Sequence, residues 1–304
     1  MNGLKRWAIA TTVATFTLIA LGALVRASGS GLGCPDWPTC YGRLIPPTHI
    51  DQLPPGADRE AFNVAKTWTE YLNRLAGVVI GLMVLTTTIK AWRARKAAPN
   101  ALRPAIAALL LIALQGGIGA LVVRLELDPR WVTIHLLIAL VIIVLLIQVV
   151  IASRPGLDPS PTTLEQRAGL RRGMDLVLAL LVLQILVGAL VRGGLEVIAT
   201  ESPDMPRVDW LGQLGTVELV HRILAVVSVL SVAALSWRVW RRDELPAMPR
   251  RLAVAAAALV AIQYGVGVGL HWFALPPTLQ VFHISFGSLL FGALVGQRML
   301  INRD

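Results

Sequence analysis

The sequence predicts an all-α integral membrane protein, with eight transmembrane helices as two tandem four-helix bundles related by a pseudo-two-fold axis along the membrane normal. Three observations carry that prediction. The 304-residue chain is 55% hydrophobic and 15% charged, with a mean hydropathy of +0.66; a soluble domain would not carry so apolar a surface. Eight apolar runs reach the ~20 residues needed to cross a hydrocarbon core about 30 Å thick. Polar residues inside those runs also recur at an offset of 148. Glu70, Asn73 and Arg74 become Glu218, His221 and Arg222; Gln115 becomes Gln263; His135 becomes His283. A repeat in step over that span marks a duplicated unit.

The runs are taken in chain order, and each is a helix because a backbone in lipid must satisfy its own hydrogen bonds. The first covers 7–26 and ends in Leu21-Gly22-Ala23-Leu24-Val25-Arg26. The fifth, 174–192, ends in the near-identical Val187-Gly188-Ala189-Leu190-Val191-Arg192. A segment echoed in the second repeat belongs to the fold, so the first run is expected to be an uncleaved helix rather than a signal peptide. The second, third and fourth runs cover 70–91, 104–123 and 131–152; the sixth, seventh and eighth cover 217–239, 252–272 and 279–297. Residues 153–173 are Pro-rich, polar and basic, and read as a linker between an N-terminal unit (1–152) and a C-terminal unit (174–304). Each unit has four helices, so both cross the membrane in the same sense, as parallel repeats do. Short Pro-containing reversals join runs three to four (Pro129) and seven to eight (Pro276, Pro277). The loop 27–69 is longer than its counterpart 193–216, since Gly22 and Gly188 are offset by 166 and not 148. A loop of that length is usually functional or disordered.

The net charge of +10 is a topology signal and not a nucleic-acid footprint. Eighteen of the 28 basic residues flank one side of the spans. They lie before the first run (Lys5, Arg6), between runs two and three, four and five, and six and seven, and after the eighth. The positive-inside rule makes that side cytoplasmic and places both termini there, in the inner membrane of a bacterial-type cell.

On this topology Asn73, His135, His221 and His283 all lie one turn in from the outer face. Intramembrane polar residues are costly and usually functional. Imidazole is a standard axial ligand of haem iron, and two facing helices of a bundle can hold a planar cofactor. His221 and His283 therefore form a candidate bis-His site in the second half, with Arg222 within reach of a haem carboxylate. A lone membrane histidine is as readily a helix–helix hydrogen-bond partner; a matched pair echoed in a repeat favours ligation. Zinc is disfavoured because no Cys or carboxylate joins the histidines. Asn73 in the first half leaves His135 as a single ligand, which opens one iron position to a small molecule or leaves the site weak. Glu70 could move a proton beside that site or simply pair with Arg74 four residues on, and Glu218 has the same surroundings. His49 and His271 have no repeat partners and read as interface residues.

Both cysteines, Cys34 and Cys40, lie in the long outer loop. A disulfide is favoured there over a free-thiol pair, and the spacing excludes C-x-x-C-H haem attachment.

The duplicated unit, the E-x-x-H-R motif at Glu218–Arg222, His135, His283 and the G-C-P-D-W-P-x-C segment at Gly33–Cys40 together resemble the haem A synthase family over essentially the whole chain. The resemblance implies an enzyme that oxidises the C8 methyl of haem O to a formyl group for terminal oxidases. It implies a haem b cofactor on His221 and His283, with Glu218 and Arg222 beside it, and substrate haem O near His135, Asn73 and Arg74. It further implies a catalytic Glu70 and a Cys34–Cys40 disulfide. Haem O synthase, an electron donor and the oxidase assembly machinery are the partners of such an enzyme, and oligomers are compatible with it. The departure is Asn73, where many members have His. Two other readings fit the histidines: a b-type electron-transfer cytochrome, and a haem carrier without catalysis. The carrier reading is weakened because every candidate ligand sits near one face.

Overall fold

The structure, a computed structural model, describes residues 2–154 and 164–301. Nine α-helices are present among them: α1 (Asn2–Ala27), α2 (Val64–Arg93), α3 (Leu102–Arg124), α4 (Pro129–Ala152), α5 (Leu164–Glu201), the single turn α6 (Trp210–Gln213), α7 (Thr216–Trp240), α8 (Ala247–Trp272) and α9 (Pro277–Ile301). All but α6 are long and apolar enough to span a membrane. Among the described residues there is no strand, only an isolated bridge between Cys40 and Arg43.

Hydropathy found the helices but misjudged some ends. Helix α2 begins at Val64, where the Asn63 side chain accepts from the Lys66 N–H at 3.0 Å and caps it. Helix α5 starts ten residues before the fifth apolar run and ends nine after it. Residues 164–173, expected as linker, are its opening turns, and the supposed loop from Gly193 to Glu201 is its last two. Leu, Glu, Gln, Ala and Arg are good helix formers whatever their hydropathy, so the run reported residence in lipid and not the length of the helix. Residues 155–163 of the expected linker lie outside the described residues.

Each repeat closes into a ring. Helices α1, α2, α3 and α4 pack in cyclic order, and α5, α7, α8 and α9 do the same. The main contacts at the seam between the rings are α1 with α9, α4 with α5, and α4 with α9. At α1–α9 the approach depends on Gly292, because a Cβ there would stand 2.6 Å from Cζ of Phe16. Leu140 of α4 packs with Phe291 and Val295 of α9 across the middle of the seam.

Packing within each ring is polarised. The first ring is filled by Ile80, Val84, Ala108, Ile142 and Leu146, and towards the basic loops by Leu4, Ala8, Ala91, Ala105 and Val149. In the second ring the buried residues of α7 begin only at Ser228 and those of α8 end at Val260. The opposite ends of both rings hold the repeated polar residues.

Candidate functional site

The second ring brings His221 of α7 and His283 of α9 together, edge to face. Their ring centroids lie 6.4 Å apart and the planes cross at 61°. Two imidazoles bonded to one metal at about 2 Å each, with each ring centre roughly 1 Å behind its nitrogen, would separate their centroids by about 6 Å. Small residues back both rings. A Cβ on Gly188 of α5 would lie 3.1 Å from His221 Cε1, and one on Gly267 of α8 would lie 3.4 Å from His283 Cε1. Gln184, also on α5, places its amide nitrogen 3.2 Å from His221 Nδ1 and 3.2 Å from the His221 carbonyl. Its Oε1 is buried without a partner, as is His283 Nδ1. The His221 carbonyl can only accept, so the amide NH2 faces it and ties the ring and the backbone of His221 together. The spacing, the glycine backing and these orphaned polar atoms fit a pair of axial ligands.

The first ring repeats the construction with one member changed. A Cβ on Gly119 of α3 would lie 3.5 Å from His135 Cε1, the counterpart of Gly267 and His283 at the same offset of 148. Gln115 donates to the His135 carbonyl at 2.7 Å. Gly22 matches Gly188, yet a Cβ there would meet nothing within 4 Å, because the shorter Asn73 stands in place of His221. Asn73 Oδ1 and His135 Nδ1 are buried without partners.

Glu70 and Arg74 form an ion pair on α2, and Glu218 and Arg222 form one on α7. Their surroundings differ. Glu70 is 3% exposed and accepts the Cys34 N–H at 2.8 Å. Arg74 donates to the carbonyls of Asp36 (2.6 Å), Thr39 (3.0 Å) and Cys34 (3.0 Å). Both thus clasp the loop closed by the Cys34–Cys40 disulfide. The loop lies directly on the first turns of α2: Thr67 Oγ1 donates to the Gly33 carbonyl at 2.9 Å, and a Cβ on Gly33 would sit 2.5 Å from the Lys66 carbonyl oxygen. Arg222, by contrast, is half exposed and donates to His271 Nδ1 at 3.1 Å. His49 is exposed and pairs with Asp51.

Inside the loop the Asp36 carboxylate accepts from the Tyr41 N–H (2.5 Å), the Gly42 N–H (2.9 Å) and the Thr39 hydroxyl. Partial burial pushes its pKa up, but these donors outweigh burial and hold it below its ordinary 3.8.

Two contributors were not singled out in the sequence. Gln184 has no echo in the first repeat, where Leu18 stands. Asp36 lay inside a segment read for its cysteines.

The sequence model of a family described as cytochrome oxidase assembly protein (COX15-CtaA) matches residues 5–295. A protein named heme A synthase from Shewanella oneidensis is 34% identical over 60% of this chain and 54% of its own length. One of the same name from Shouchella clausii is 32% identical over 39% of this chain and 35% of its own. The chain therefore spans about half or less of these two relatives. A heme A synthase from Halalkalibacterium halodurans is 24% identical over 100% of this chain and 98% of its own length.

Proposed function

The chain belongs to the COX15-CtaA family of cytochrome oxidase assembly proteins, and from that premise we propose that it is a membrane oxidoreductase converting the C8 methyl of haem O to the formyl group of haem A. The observation that carries this reading is the imidazole pair of His221 and His283, 6.4 Å apart and backed by glycines, repeated in the other ring as a site with one histidine. Haem b held there supplies one-electron transfer. His221 and His283 would hold it, with Gln184 orienting His221 and Gly188 and Gly267 keeping the space beside the rings clear. Substrate haem O binds in the first ring, where His135 and Asn73 stand at the equivalent positions. Glu70 is the catalytic carboxylate, steadied by Arg74 and kept from solvent by the disulfide loop. The Glu218–Arg222 pair sits at the edge of the cofactor site.

In this reading the two halves are related by a pseudo-two-fold axis along the membrane normal. Exchange of the rings turns the α1–α9 contact into α5–α4, and both are present. The basic loops lie in the cytoplasm with both termini, and the two sites lie near the opposite face.

The test is expression alongside a supply of haem O, followed by mass spectrometry of extracted pigments. Hydroxylated or formyl haem is expected; haem b alone would make the protein a b-type cytochrome. His221→Ala or His283→Ala should abolish the low-spin spectrum. His135→Ala should keep that spectrum and stop conversion. Loss of the spectrum in all three would refute the two-site assignment.

A further inference from the structure

At the end of the bundle away from the basic loops, a cavity of about 410 Å³ opens between the two rings. Its wall carries Arg26 of α1, Lys66 of α2, Arg192 of α5 and Arg207, against a single carboxylate, Glu196. Arg26 and Arg192 are repeat equivalents, and both turn to that carboxylate. Arg26 grips it with two bonds of 2.8 and 2.7 Å, and Arg192 Nε lies 3.2 Å away. Arg192 also donates to Gln280 at 2.7 Å. One carboxylate does not neutralise four cations. Among the described residues neither Lys66 nor Arg207 has a carboxylate partner, and Arg207 lies over the Trp210 ring at 5.5 Å. Membrane proteins concentrate Lys and Arg at the cytoplasmic ends of their spans, so this cluster runs against the bias that explains eighteen of the chain's 28 basic residues.

We propose that this cavity binds the phosphate headgroup of an anionic membrane lipid. The unbalanced cations supply the charge, and basic pockets between membrane helices take anionic headgroups for that reason. Leu195, Trp210, Leu275 and Pro277 complete the wall, so the cations are set beside apolar surface that suits an amphiphile better than a free ion. The volume lies within the range of small-molecule sites, roughly 300–1,000 Å³. Neither a histidine nor a cysteine lines the cavity.

Native mass spectrometry of the purified full chain, titrated with phosphatidylglycerol or phosphatidylcholine, tests the proposal. Wild-type protein should retain one phosphatidylglycerol under conditions that strip phosphatidylcholine. Lys66→Gln with Arg207→Gln, which leaves the Arg26–Glu196 pair intact, should weaken that retention on the order of 30-fold without changing the absorbance spectrum. Lys66→Gln alone, at an exposed side chain, carries the test if the double variant does not fold. Equal retention of the two lipids, unchanged retention in the variants, or full displacement of the lipid by inorganic phosphate would each overturn it. So would a variant that loses bound pigment but keeps its lipid, since the pocket would then serve the haem.

Discussion

Gln184 is the residue whose role is best isolated by substitution. It touches no other candidate ligand, and its bonds to the His221 ring and backbone fix how that ring is turned. Partners of this kind change ligand affinity by about 10–100-fold. Gln184→Leu is therefore expected to weaken cofactor retention by at least tenfold and to alter the low-spin spectrum. A titration of the purified apoprotein with haem, followed by absorbance, measures both. The histidines were legible in the sequence because the repeat displayed their positions twice, as Asn73 and His221 and as His135 and His283. Gln184 was not, because Leu18 leaves it without an echo and a single polar residue in an apolar run has many uses. The difference in surroundings between the two glutamates was equally hidden. Glu70 and Glu218 share a motif, and only the fold puts the Cys34 N–H on one of them.

At the level of elements, the disulfide loop and the start of α2 act as one piece. Arg74 holds three of the loop's carbonyls, Glu70 holds its first cysteine, and Asp36 gathers the turn at Tyr41 and Gly42. The lowered pKa of Asp36 sets the sign of a pH effect. Its bonds contribute fully above its ordinary 3.8 and are lost as pH falls through the lower folded value. Hydrogen exchange at the Tyr41 and Gly42 amides should therefore stay protected in mildly acidic buffer and accelerate, beyond the intrinsic trend, only in strong acid. Asp36→Asn should remove that step. The sequence located this loop by its cysteines and its length. It could not reveal that α2 starts six residues early to receive it, because Val64–Thr69 is too polar to register as a span while the Asn63 cap and ordinary helix formers suffice to start the helix.

For the whole molecule, the eight spans and the duplication could be read directly, since hydropathy and the 148-residue offset are global signals. The seam could not, since it depends on which faces of α1, α4, α5 and α9 meet. Gly292 shows the dependence. A larger side chain would collide with Phe16, so Gly292→Leu is expected to destabilise the assembled pair of rings by about 1–3 kcal/mol. Phe16→Ala should offset part of that loss in a double-mutant cycle, read by thermal melting in detergent. The polarised packing has a further consequence for biogenesis. Apolar side chains complete each ring at the end of the basic loops, so that end closes using the chain's own atoms. The other end carries the repeated polar residues. A ligand that binds the folded form alone adds to its stability by mass action. With the cofactor placed as proposed, chains made without it are expected to exchange amide hydrogens fastest at that end.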